Sequence, residues 1–279
     1  MSRMLSRFQS AVLTTLLGGV VCLGVALRAP ADDAPATPPA PPQPRWNPVG
    51  VIDRNVVTEI SGVVASRKYP GVLWVHADSG NEPKIVAVNS NGARIAEVTI
   101  AGAPNIDWED ICADDSGNIY VGDIGNNTGL LPVRYVYRVP EPDPYHPPTK
   151  PVPPDRRWRV RYPEGERSNC ESLFWHAGTL YVIPRGGPHG GVIYRLDPDG
   201  NDDLIMHAVC STAIGPATGA DVSRDGRTLL VCGPYVARLY RITDETGLID
   251  PTDQRMIAAA QNGAVEACCL TEQDVVLIP

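Results

Sequence analysis

This chain lacks the short signatures that most often disclose an activity. It has no GxSxG elbow, Walker loop, HExxH helix or Rossmann glycine fingerprint anywhere in its 279 residues. Past residue 28 no stretch reads as a helix of ten or more residues, which excludes α/β architectures. Nor is any stretch there apolar for long enough to span a bilayer. Basic charge is scarce. The first 28 residues hold three of the 24 basic residues and none of the 32 acidic ones, so the remainder carries a net charge of −11. That balance argues against nucleic acid or an anionic membrane surface as partner, and suits cations or basic ligands. The cysteines beyond Cys22 are Cys112, Cys170, Cys210, Cys232, Cys268 and Cys269, and their spacing fits no zinc pattern. Their even number permits disulfides in an exported protein, although several sit in apolar strand-like runs where cysteine behaves as a small hydrophobe.

What is present begins with an export pattern. Arg3 and Arg7 precede an apolar run from Ala11 to Leu27, so residues 1–28 read as a signal peptide or a retained N-terminal anchor. Residues 29–47, APADDAPATPPAPPQPRWN, form a Pro-rich linker whose extended reach is up to about 60 Å at about 3.1 Å per residue. Residues 48–279 are long enough for one domain with a sizeable core. The expected location is periplasmic or extracellular, with membrane contact only through the N-terminal segment.

Within that domain an acid recurs in one local setting: Glu59 in TEISGVVAS, Glu109 in WEDICADDSGN, Glu171 in CESLFWHAGT, Asp221 in ADVSRDGRT and Glu266 in VEACCLTEQD. Spacings of 50, 62, 50 and 45 residues indicate a repeated supersecondary unit. Each acid opens an apolar stretch, followed by a turn and a second apolar stretch: VLWVHA, IYVGDI, LYVIPR, LLVCGP and VVLIP. Third stretches follow in four units, and RYVYRV, GVIYRL and ARLYRI share an aromatic-Arg-apolar ending. With a fourth stretch the unit is a four-stranded meander, the blade of a β-propeller. The expected fold is all-β with five blades, six being the alternative. The last blade is short, and residues 48–57 are expected to supply its outer strand. Eight prolines in PEPDPYHPPTKPVPP make that insertion an extended loop, expected to project from the face opposite the acids.

In a ring of meanders the openings of all first strands converge on one channel mouth. Glu59, Glu109, Glu171, Asp221 and Glu266 are therefore expected to form a ring of carboxylates, with Asp123 and Asn126 from GDIGNN as further metal ligands. Two carboxylates about 5 Å apart repel by roughly 3 kcal/mol at an effective dielectric near 20. Such a ring needs protons, an arginine or a cation, and oxygen-only ligands favour Ca²⁺. The ends of the second strands and the loops after them add Asp78, Asn127, Arg134, Arg185 and Tyr235 as ligand-binding candidates. If the site is hydrolytic, Glu109 or His76 is the candidate base. A competing role for each acid is to accept backbone amides from the next blade and lock blades together.

The segments EISGVVASRKYPGVLWVHADSG, DWEDICADDSGNIYVGDIGNN and CESLFWHAGTLYVIPR resemble a group of mostly uncharacterised exported bacterial β-propellers. More distantly the chain is similar to phytase-like and gluconolactonase-like propellers. That resemblance implies Ca²⁺ held by Glu59, Glu109, Glu171 and Glu266, with Asp123 and Asn126 as outer ligands. The expected function is a non-catalytic module binding a metal, calcium by preference, and a small-molecule ligand or protein partner. The alternative is a calcium-dependent hydrolase of phosphoesters, esters or lactones. The chain departs from the hydrolase pattern in having few basic residues near the mouth, and fold likeness alone carries no activity.

Overall fold

The computed structural model describes residues 48–131, 133–162, 168–186, 189–198, 202–243, 249–259 and 263–279. The expected N-terminal signal or anchor and the linker lie outside them. Among the described residues no helix is long and apolar enough to cross a membrane.

The apolar, β-branched stretches form strands and the Gly/Asp/Asn clusters form the turns between them. The first unit comprises β1 (Ile60–Ala65), β2 (Val72–Ala77), β3 (Lys84–Asn89) and β4 (Arg94–Thr99), an antiparallel meander. The second has β5 (Trp108–Ala113), β6 (Asn118–Asp123), β7 (Arg134–Pro140) and β8 (Arg156–Arg161). The third has β9 (Cys170–His176), β10 (Thr179–Pro184), β11 (Val192–Pro198) and β12 (Asp203–Ser211). The fourth has β13 (Gly219–Val222), β14 (Thr228–Gly233), β15 (Val236–Ile242) and β16 (Ile249–Ala259). A hairpin of β17 (Ala267–Leu270) and β18 (Val275–Ile278) follows. The second and third meanders join through a parallel pairing of their outer strands, β8 with β12. Asp203, itself buried, clamps that edge by accepting from Arg159 and Arg161.

First strands adjoin in the order β1, β5, β9, β13, β17 and back to β1. Five apolar clusters fill the five seams. Val64, Trp74, Ile85, Trp108, Ile111 and Tyr137 occupy the first, and the seam between the hairpin and the first meander holds Val63, Val75, Val86, Ala267 and Cys269. Burying one large side chain fully contributes about 1.5–3 kcal/mol, so the seams are where the ring is held. The fold is a β-propeller. Its repeated aromatic-Arg pairs are explained by the same layout: Tyr137, Tyr194 and Tyr240 are buried. Their neighbours Arg138, Arg195 and Arg241 turn outward to Asp155, Asp197 and Asp253.

Two expectations change. Residues 48–57 form no strand and do not pair with β18. Asp53 accepts the amides of Asn55, Val56 and Val57 and coils the segment into a turn, while Val51 donates to the Asn91 carbonyl of the first meander. Ile52, Val56 and Val57 still pack in the seam between first and last units, so the segment reaches the expected place as irregular chain. The proline-rich insertion, instead of projecting, returns to the first meander. Val152 exchanges backbone bonds with Thr99 and Ala101, and the Glu141 carboxylate accepts Trp74 Nε1 at 2.8 Å.

Candidate functional site: an acidic channel mouth

The five first strands register against their hairpin turns. Ser66, Asp114, Ser223 and Thr271 each close a turn with a backbone bond, and His176 is the matching residue of the third unit, paired with Thr179. The residues five positions earlier are Ser61, Glu109, Glu171, Thr218 and Glu266. All five line one cavity of about 270 Å³, together with Glu59, Ile60, Asp78, Asn127 and Arg185. The equivalent ring is therefore three glutamates and two hydroxyls. Glu59 also lines the mouth, but two residues outside that register, and its backbone sits at φ 49°, a conformation uncommon for a side-chain-bearing residue. Its carbonyl accepts the Asp78 amide at 2.8 Å.

Asp221 is not in the ring. Three residues beyond Thr218, its carboxylate accepts the amides of Val222 and Leu270, both at 2.8 Å, tying the fourth unit to the hairpin. Burial pushes its pKa up to about 6. Asp110 performs the same locking among three units, accepting from Ile111, Leu173 and Ala220. These two aspartates, below the mouth, accept backbone amides across the seams as blade-locking acids do.

Glu109, Asp107 and Asp78 converge at one side of the mouth. Each offers a carboxylate oxygen within 4.8 Å of the others, an arrangement that could hold a metal ion. Asp107 is positioned by Asn127, whose backbone and side-chain amides point at its two oxygens. Asn105 holds the Asp78 segment by donating to the carbonyls of Ala77 and Asp78 at 3.1 and 2.8 Å. Glu109 is 4% exposed. Its Oε2 accepts the Ser61 hydroxyl at 3.3 Å, while its Oε1 is buried with no hydrogen-bond partner. Burial above all, then the charges of Glu171, Asp78 and Asp107, push the Glu109 pKa up to about 10; burial also raises Asp107. Gly125 roofs the cluster: a Cβ there would collide with Glu109 Oε1 and the Asp107 carboxylate. Across the mouth Arg185 donates to both oxygens of Glu171, and Asn169 donates to Glu171 Oε1 at 2.8 Å.

Other expected members stand elsewhere. Asp123 accepts the Asp107 amide at 2.7 Å and is pushed to about 6 by burial, so it supports the cluster from behind. The side-chain carbonyl of Asn126 accepts the Leu131 amide, which shapes the loop. Arg134 is buried, with its guanidinium 4.4 Å over the Tyr162 ring and bonded to the Ser168 carbonyl, so it does not line the cavity. Tyr235 is 73% exposed, on the turn between β14 and β15, and also lies off the cavity. His76 is fully buried, edge-on to Trp108, with Nδ1 3.0 Å from the Ala77 carbonyl. Burial lowers its pKa, leaving a neutral ring out of reach of a mouth-bound ligand. Asp107, Ser61 and Thr218 were not among the expected ligands. Counting back from the turns finds the last two.

No protein-family model matches the chain, and no curated protein matches it in sequence. Solved structures do resemble it at a distance. One from a nidogen–laminin complex is 14% identical, aligned over 78% of this chain and 71% of that one, with a TM-score of 0.48. A gluconolactonase from Xanthomonas campestris is 16% identical over 78% and 68%, at 0.46. A functionally unknown protein from Desulfotomaculum acetoxidans is 14% identical over 70% and 55%, at 0.40.

Proposed function

We propose that this chain is an exported β-propeller that binds Ca²⁺ through Asp78, Asp107 and Glu109 and presents the ion to a small-molecule ligand or protein partner, without catalysis. The observation that carries the reading is Glu109 Oε1: a buried, unpartnered carboxylate oxygen of a residue clustered with two further carboxylates, beneath Gly125. An unsatisfied buried polar atom costs about 1–3 kcal/mol, and a cation removes that cost together with the mutual repulsion. Hard oxygen donors suit Ca²⁺ over zinc or copper. Binding is favoured over phosphoester hydrolysis because Arg185, among the described residues the one basic side chain lining the cavity, is engaged by Glu171.

Thermal unfolding with Ca²⁺ and with chelator tests this, since a ion bound only by the native state raises its stability. The reading requires a higher midpoint in Ca²⁺, and equal midpoints would overturn it. Given a shift, a panel of p-nitrophenyl phosphate, p-nitrophenyl ester and lactone substrates separates the roles: no turnover is expected. Turnover that Glu109→Gln abolishes would establish the hydrolase instead.

A further inference from the structure

Of the six cysteines in the domain, two meet across the last seam. Cys232 lies on β14 of the fourth unit and Cys268 on β17 of the terminal hairpin, and both are at most 1% exposed. They belong to one apolar cluster with Leu230, Ala237 and Val265. Between their strands runs β13, where Cys232 would be screened from the hairpin by any side chain on its register partner. That partner is Gly219. A Cβ at Gly219 would stand 3.2 Å from Cys232 Sγ and 3.4 Å from Cys268 Sγ, so the glycine is the window through which the two sulfurs face each other. Burial, with the Cys232 thiol beside it, raises the Cys268 pKa.

Among the described residues the β17–β18 hairpin is the smallest unit of the ring. It contributes two strands where its neighbours contribute four, and residues 48–57 do not extend it. Its polar ties to the fourth unit include the Asp221–Leu270 bond, the Thr218 hydroxyl on the Val265 carbonyl at 2.8 Å, the Val265 amide on the Pro234 carbonyl at 2.9 Å, and the exposed Arg224–Glu272 ion pair at 2.7 Å.

We propose that Cys232 and Cys268 form a disulfide that staples the terminal hairpin to the fourth unit and closes the ring. The oxidant is a small or protein disulfide. One cysteine thiolate attacks it, releasing one thiol and leaving a mixed disulfide; the second cysteine displaces the other thiol. One S–S bond forms and one breaks, and the two cysteine protons end on the two released thiols. Because the thiolate is the nucleophile and the seam suppresses it, the bond forms during folding, before the hairpin docks.

The test uses the full chain, unfolded and reduced, then refolded in mixed oxidised and reduced glutathione. Remaining thiols are alkylated under denaturing conditions and the peptides mapped by mass spectrometry. The expected product is one peptide pair joined through Cys232 and Cys268, lighter by two hydrogens, with Cys112 and Cys269 alkylated. The oxidised protein is further expected to lose several degrees of melting midpoint on adding dithiothreitol, and Cys232→Ser to lose nothing more. Mapping the parent protein needs no variant to fold. Alkylation of both Cys232 and Cys268 in the refolded protein, or a bond from either to another cysteine, would overturn the proposal.

Discussion

Glu109→Gln removes one charge from the mouth while keeping the side chain's shape and an acceptor for Ser61. In the parent protein without metal, Glu109 holds its proton up to about pH 10, whereas the unfolded chain releases it near its ordinary 4.5. The folded pKa is raised, so the stability it confers is complete below about pH 4.5 and is lost as pH rises toward 10. Between those limits the native state binds one proton more than the unfolded state, and each pH unit removes up to about 1.4 kcal/mol. Asp123 and Asp221, at about 6, contribute losses of the same sign, so the comparison belongs above them. From about pH 6.5 to 8.5 the parent should lose up to about 3 kcal/mol that Glu109→Gln does not. At about 2–4 °C per kcal/mol for a domain of this size, the two melting curves should converge at acid pH and separate by about 6–12 °C at alkaline pH, the variant melting higher. The assay is tryptophan-fluorescence melting in chelator across that range. Adding Ca²⁺ to a hundredfold excess over its dissociation constant should restore about 2.7 kcal/mol to the parent and nothing to the variant. Parallel pH profiles for the two proteins would refute the electrostatic argument.

Gly125→Ala should abolish the Ca²⁺-induced rise in melting temperature, because the added methyl occupies the roof over Glu109 and Asp107; an unchanged rise would show that the cluster is not the site. Asp221→Asn should cost about 1–3 kcal/mol by weakening the charged acceptor of the Val222 and Leu270 amides, measured by urea unfolding, and leave the Ca²⁺ response intact. Arg185→Met should lower stability, since it strips the counter-ion from buried Glu171, yet tighten Ca²⁺ binding severalfold by removing a like charge from the mouth; weaker binding would contradict this placement of Arg185.

Much of the fold was legible because strands and turns declare themselves locally. Runs such as VLWVHA and TLLVCG are β-branched or apolar and end at Gly/Asp turns, and the Tyr-Arg pairs marked the third strands. The phase of the site was less legible. Counting from one acid to the next aligned Glu59 and Asp221 with the true ring members, yet the register is set by the hairpin turns. Ser66 and Ser223, read as anchors, lead back to Ser61 and Thr218, polar side chains too small to stand out beside a glutamate. Arg134 begins a third strand at the correct end, but an aromatic face at Tyr162 and a carbonyl at Ser168 draw its guanidinium into a seam. The roof could not be read at all, since Gly125 matters through what would collide with its absent side chain. The expected outer strand over residues 48–57 is absent because the Asp53 turn outweighs the strand preference of Val51, Ile52, Val56 and Val57.

The most direct test of a cation at the mouth is calorimetric titration of the metal-free protein with Ca²⁺ near pH 7, in two buffers of different ionisation enthalpy. Glu109 must give up its proton for the ion to bind. The prediction is one ion per chain, about one proton released, and an observed enthalpy that changes with the buffer accordingly. Absence of binding heat in both buffers, or binding that survives Glu109→Gln undiminished, would contradict it.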